Sequence, residues 1–163
     1  PGTIIRDAQH QAARQIVNGG IVVTDDLARP HERNQVHPSN KRPVGRRLAY
    51  LALNRDYGFS SVNCYSPEAQ EAWVEGDMVC VKLSYAQNGL DRWEGVKGLE
   101  VCGEDGVFYP VSEALYDWDH VLKIRCEKVK RPMEVRYCYR DFNPGNLHNT
   151  VGLPVAPFRF RFE

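Results

Sequence analysis

His37 is the side chain whose setting suits proton transfer. It follows a β-branched run, Ile21-Val22-Val23-Thr24, and a polar loop that contains Pro30. It stands directly before Pro38, in the run His37-Pro38-Ser39-Asn40-Lys41-Arg42-Pro43-Val44-Gly45-Arg46-Arg47. A loop histidine is by itself more often incidental. An imidazole on a loop beyond a strand's carboxyl end, held by a Pro-opened helix, is instead placed to take a proton and return it. The chain's other reactive side chains carry weaker signals. Its five cysteines, Cys64, Cys80, Cys102, Cys126 and Cys138, show no C-x-x-C and no paired-His spacing, so no zinc or other metal site is expected. Four of them sit in strand-like patterns, where a small core residue is the ordinary role. The odd count leaves at least one thiol outside intrachain pairing, and a disulfide stays open for an exported chain. Lys41, Arg42, Arg46 and Arg47 read as the solvated face of a helix, because no interleaved aromatics or Gly-rich loop accompany them. Trp73, Trp93 and Trp118 either fill a core or stack on sugar rings.

The elements that must hold His37 are legible in outline. Thr3 is a candidate N-cap for a helix with Ile4, Ile5, Ala8, Ala12 and Ile16 along one face. Asn18-Gly19-Gly20 is a stop signal. Residues 21–24 then read as a short parallel strand. Pro38 opens a second helix, with Ser39 or Asn40 as cap, an apolar face of Val44, Leu48, Leu51 and Ala52, and Gly58 as its end. Pro43 is tolerated there only in the first turn. One parallel strand makes no sheet, so its neighbours must come from elsewhere.

Beyond Gly58 the pattern changes to short strands. Trp73-Val74 and residues 78–83 flank Glu75-Gly76-Asp77 as a hairpin. Residues 99–102 and 107–109 flank Gly103-Glu104-Asp105-Gly106 as another. Residues 121–126 and 135–139 alternate apolar with polar, and Asn143-Pro144-Gly145-Asn146 signals a turn. Strands at this spacing indicate an antiparallel sandwich.

Composition separates the same two stretches. The 163 residues carry 21 Lys+Arg and 21 Asp+Glu, so the formal net charge is zero and a strongly basic nucleic-acid binder is excluded. Up to Gly58 there are nine Lys/Arg against five Asp/Glu, whereas the remainder has 12 against 16. Only Tyr50 and Tyr57 of the aromatic residues precede Phe59. No apolar run approaches the roughly 20 residues of a membrane span. The chain opens with Pro rather than Met, without a charged-then-apolar leader, and so reads as a piece of a larger protein.

The block around His37 resembles the last block of SGNH hydrolases, in which a catalytic His precedes Pro and a Gly-containing helix. More specifically, the chain resembles the carboxyl-terminal part of the sialate O-acetylesterase family. The resemblance runs through Arg6-Asp7-Ala8-Gln9, Val23-Thr24-Asp25-Asp26-Leu27, His37-Pro38-Ser39-Asn40-Lys41 and Val44-Gly45-Arg46-Arg47-Leu48-Ala49. It continues with Gly103-Glu104-Asp105-Gly106-Val107-Phe108-Tyr109-Pro110, Val135-Arg136-Tyr137, Asn143-Pro144, Asn146-Leu147 and Gly152-Leu153-Pro154-Val155-Ala156-Pro157-Phe158-Arg159. The resemblance implies removal of O-acetyl groups from sialic acids or related acetylated sugars, with no metal or organic cofactor. It also implies a secreted, periplasmic or lysosomal protein.

Two departures shape the expectation. SGNH enzymes commonly carry Asp three residues before the His, where this chain has Asn34. Asn34 can accept the ring N–H but cannot offset an imidazolium charge, and Asp26 or Glu32 are the nearby carboxylates able to do so. The family's Ser nucleophile and oxyanion-hole blocks have no counterpart among Ser39, Ser60, Ser61, Ser66, Ser84 and Ser112. The expected architecture is therefore α+β. Residues 1–58 would be the terminal helix-strand-helix portion of an SGNH α/β hydrolase domain, and residues 59–163 an antiparallel β-sandwich. The candidate catalytic group is His37, supported by Asn34 and Asp26. The expected partners are an acetylated sugar and an amino-terminal SGNH segment or chain bearing the Ser, without nucleic acid or membrane. The chain alone is expected to be inactive. The alternative is a non-catalytic carbohydrate-binding or interaction sandwich.

Overall fold

The computed structural model describes every residue except Pro1, Val36, Arg92, Trp93, Glu94 and Ser112. Two helices come first, α1 (Gly2–Gln15) and α2 (Arg42–Arg55), with one 3-10 turn between them at Pro30–Glu32. All the strands follow: β1 (Glu68–Glu75), β2 (Met78–Ser84), β3 (Leu90–Asp91), β4 (Leu99–Cys102), β5 (Phe108–Pro110), β6 (Ala114–Tyr116), β7 (Val121–Arg125), β8 (Glu134–Tyr137), β9 (His148–Asn149) and β10 (Phe158–Arg161). The expected α+β class, with a β-sandwich arrangement after the helices, is what the chain adopts.

The strands form two four-stranded sheets, ordered β1-β2-β7-β6 and β10-β8-β4-β5, and a small β3-β9 pair. Every pairing is antiparallel. The β1–β2 hairpin closes over Gly76, whose φ of 65° no β-branched residue would tolerate. Val79, Val81, Leu122 and Ile124 of the first sheet share one buried cluster with Leu99, Val101, Val135 and Tyr137 of the second. Each fully buried aliphatic side chain of this kind stabilises the fold by about 2 kcal/mol. Ionic pairs lock the second sheet across its strands. Glu100 of β4, 3% exposed, accepts from Arg136 Nε at 2.8 Å and Arg140 Nη2 at 2.7 Å. Glu134 of β8 accepts from Arg159 and Arg161 of β10. All five cysteines are buried free thiols.

The helical part departs from expectation at three points. Thr3 is not the cap of α1, since the helix already begins at Gly2, whose N–H donates to Asp141 Oδ1 at 3.0 Å. Helix α2 begins at Arg42 rather than at Pro38, because the Ser39 N–H is taken by the Glu32 carboxylate at 2.8 Å and residues 38–40 stay in the loop. Pro43 falls in the first turn, the one place a helix accepts it. Residues 21–24 join no β-ladder, because no partner strand lies beside them among the described residues. They pack instead between the helices, with Val23 buried and its carbonyl accepting from Arg47 Nη1 at 2.7 Å. Gly20 permits this close approach, since a Cβ there would lie 2.7 Å from Leu51 Cδ2.

Helices and sandwich are tied together through α1. Arg6 donates to the carbonyls of Cys138 at 2.9 Å and Arg140 at 2.7 Å, and the Tyr139 hydroxyl donates to Asp7.

Candidate functional site: the His37 loop

The chain between Asp25 and Lys41 carries His37, and two carboxylates shape it, the buried Glu32 and the partly buried Asp26. Glu32, 3% exposed, accepts from the Arg29 N–H and the Ser39 N–H, each at 2.8 Å. It thereby ties a residue before the 3-10 turn to a residue just after His37. The Arg29 and Ser39 N–H bonds hold its carboxyl down at about 2, so the clasp is ionic at neutral pH.

Asp26 anchors the other end. Its two oxygens accept from Arg47 Nη1 at 2.7 Å and Nη2 at 2.6 Å, a fork that ties the start of the loop to the helix after His37. His148 Nε2 lies 3.4 Å from Asp26 Oδ2. Burial pushes the Asp26 carboxyl up, but the Arg47 and His148 bonds outweigh it and leave it at about 2. The neighbouring Asp25 pairs with Arg6 at 3.3 Å, yet burial keeps its carboxyl raised. Asp25 Oδ2 and Arg6 Nε are buried without a hydrogen-bond partner.

His37 itself is exposed, and its ring makes no hydrogen bond or ion pair with any described residue. Asn34 is exposed as well. The structure thus brings Asp26 to Arg47 and His148, and commits Glu32 to the backbone. It joins neither carboxylate, nor Asn34, to the His37 imidazole by a hydrogen bond.

Arg47 is the member of the basic cluster that sequence reading misplaced. It is 5% exposed, whereas Lys41, Arg42 and Arg46 face solvent. Its spacing carried the signal, since Arg47 lies three residues after Val44 and four before Leu51, on the apolar stripe. No comparable signal marks His148, whose partner is 122 residues away in sequence. Trp73 donates from Nε1 to Glu75 on β1, at the opposite edge of its sheet from β6, which leads into the Trp118 turn. Trp118 is 97% exposed, and Trp93 lies outside the described residues.

Beside the loop, an open groove of about 510 Å³ runs between α1, residues 19–25 and α2, lined by Arg6, His10, Ala13, Ile16, Val22 and Leu48 among others. Ile4, Ile5, Ile16 and Val17 on and after α1 and Leu48 on α2 are all at least half exposed.

The chain as a whole is similar in structure to a carbohydrate esterase. Among the solved structures it matches is that of a carbohydrate acetylesterase from Xanthomonas citri, with a TM-score of 0.85 and 28% identity over 99% of this chain. The match covers 36% of that protein, so the chain spans about a third of its length. No protein-family model and no curated protein matches the sequence.

Proposed function

We propose that the chain is the carboxyl-terminal part of an SGNH-type carbohydrate esterase of the sialate O-acetylesterase kind, and that His37 is its general base. The observation that carries this reading is the match of nearly the whole chain to one third of a carbohydrate acetylesterase. The exposed ring of His37, unengaged by any described residue, on a loop fixed by Glu32 and Asp26 supports it. Residues 1–58 would belong to the hydrolase domain and residues 59–163 to a sandwich domain. Outside the cytosol, in the periplasm, lysosome or medium, is the compartment the family resemblance implies.

In the complete enzyme, His37 takes the proton from a Ser hydroxyl as its oxygen attacks the acetyl carbonyl of an O-acetylated sugar. The tetrahedral intermediate collapses, and the His37 imidazolium protonates the departing sugar hydroxyl. Water, deprotonated by the same imidazole, then attacks the acetyl-serine and releases acetate. The Ser stands on an amino-terminal segment or partner chain. The groove beside residues 21–24 is where that segment would add a parallel strand and cover the exposed Ile16 and Leu48. Purified chain given p-nitrophenyl acetate or an O-acetylated sialoside should show no turnover. It should co-purify with a co-expressed Ser-bearing segment and acquire turnover with it; turnover by the isolated chain contradicts the reading.

One observation favours a second reading. Trp118, 97% exposed in the turn between β6 and β7, suits stacking on a sugar ring. Glycan binding that survives His37→Ala and fails on Trp118→Ala would make the sandwich a carbohydrate-binding module.

A further inference from the structure

The loop that carries His37 is braced from the helices and from within, by Arg47 and by Glu32. Among the described residues, the sandwich side chain that hydrogen-bonds it is His148 of β9, through Asp26. We propose that His148 is a positioning residue: a protonation-dependent latch that fixes the sandwich to the Asp26 anchor of the His37 loop. This rests on the reading of His37 as the general base.

The ring's two contacts set the chemistry. Nδ1 lies 3.0 Å from the Asn146 carbonyl oxygen, and Nε2 lies 3.4 Å from Asp26 Oδ2. Both partners accept hydrogen bonds only. A neutral imidazole has one N–H and one lone pair, so either tautomer turns a lone pair toward an acceptor. Only the imidazolium donates to both, and it adds a charge opposite to that of Asp26. The latch is therefore tightest when His148 is protonated; a neutral ring keeps at most one of the two bonds and loses the charge that faces Asp26.

The charged groups around the ring agree with this. Asp26, from the loop, attracts the protonated ring, and Arg47, from α2, repels it across the shared carboxylate. On the paired strand β3, Asp91 stands opposite His148 in register. The Asp26 bond raises the imidazole above its ordinary value of 6.5, against burial, which lowers it. A group raised on folding contributes in full below its unfolded value, and the contribution is lost as pH rises through the folded value. The latch thus loosens toward the alkaline side, with Arg47 still holding Asp26.

Side-chain ¹⁵N NMR of His148 and amide exchange of residues 27–41, between about pH 5 and about pH 8, test the latch. Both ring nitrogens should be protonated at the acid end, and Asp26→Asn should lower the midpoint. Loop exchange, corrected for its intrinsic base catalysis, should rise about tenfold as His148 deprotonates, the order of one weak bond. His148→Gln should be fast-exchanging throughout, and His148→Lys, which keeps a cation over this range, should stay protected. Loop exchange in folded His148→Gln that keeps the wild-type pH dependence overturns the latch. Should that variant not fold, a wild-type His148 midpoint unmoved by Asp26→Asn does so instead. These readouts report loop order and not esterase turnover, so they stand or fall separately from the assignment of His37.

Discussion

Arg47 and Asp26 form a two-pronged ion pair, Nη1 to Oδ1 at 2.7 Å and Nη2 to Oδ2 at 2.6 Å, that closes the loop carrying His37 onto the helix that follows it. The same guanidinium donates to the Val23 carbonyl, so one side chain fixes both the chain entering the loop and the loop itself. The proposed role of His37 as a general base calls for a loop held still, and this pair restrains it from the helix side.

Removing one member of this largely buried pair strands the other's charge. Arg47→Ala should destabilise the chain by about 3 kcal/mol and loosen residues 25–41. Arg47→Lys should recover part of this, because an ammonium keeps the charge but not the fork. Urea unfolding followed by far-UV circular dichroism measures both.

Acid should loosen the same loop. Asp26 and Glu32 are both held at about 2, from ordinary values of 3.8 and 4.5. As pH falls, the unfolded chain binds protons at these two sites before the folded chain does. Their stabilisation is therefore complete above about pH 4.5 and is lost as pH falls toward about 2. Unfolding midpoints measured down this range should drop, and Glu32→Gln should flatten part of the drop.

Gly145 has no room for a side chain. A Cβ there would press on the Tyr137 hydroxyl and lie 2.5 Å from Cys138 Sγ. That hydroxyl accepts the Leu147 N–H at 2.9 Å, and Tyr137 is only 1% exposed, so neither neighbour can retreat. Gly145→Ala should cost about 3 kcal/mol or prevent folding, read as a lowered thermal midpoint or loss of soluble chain.

Trp118→Ala should leave stability within about 0.5 kcal/mol, because the ring is 97% exposed. A large thermal shift in this variant would mean that the ring is covered in solution.

The sandwich was the most legible part of the sequence, because its signals are local. Gly76 marks a turn wherever a left-handed residue is needed, and the alternation around Leu122 and Ile124 repeats within one strand. Long-range pairing hid the rest. Pro38, Ser39 and Asn40 look like a helix start, and only the Glu32 carboxylate, arriving from seven residues earlier, keeps Ser39 in the loop. Residues 21–24 have the composition of a strand, but a strand is made by its neighbours, and none lies beside it among the described residues. Of the candidate site, the His37 loop was readable from the strand-like run and the Pro after the histidine. The roles of Arg47 and His148 were not, since each depends on Asp26 from a distant part of the chain.

The most direct test of the account is the rate of O-acetyl release from an acetylated sialoside by the chain assembled with the proposed Ser-bearing segment, with His37 intact and with His37→Ala. Loss of the base should lower kcat at least about a thousandfold while the assembled protein stays folded. An assembled His37→Ala protein that keeps its rate would contradict the assignment of His37 as the base.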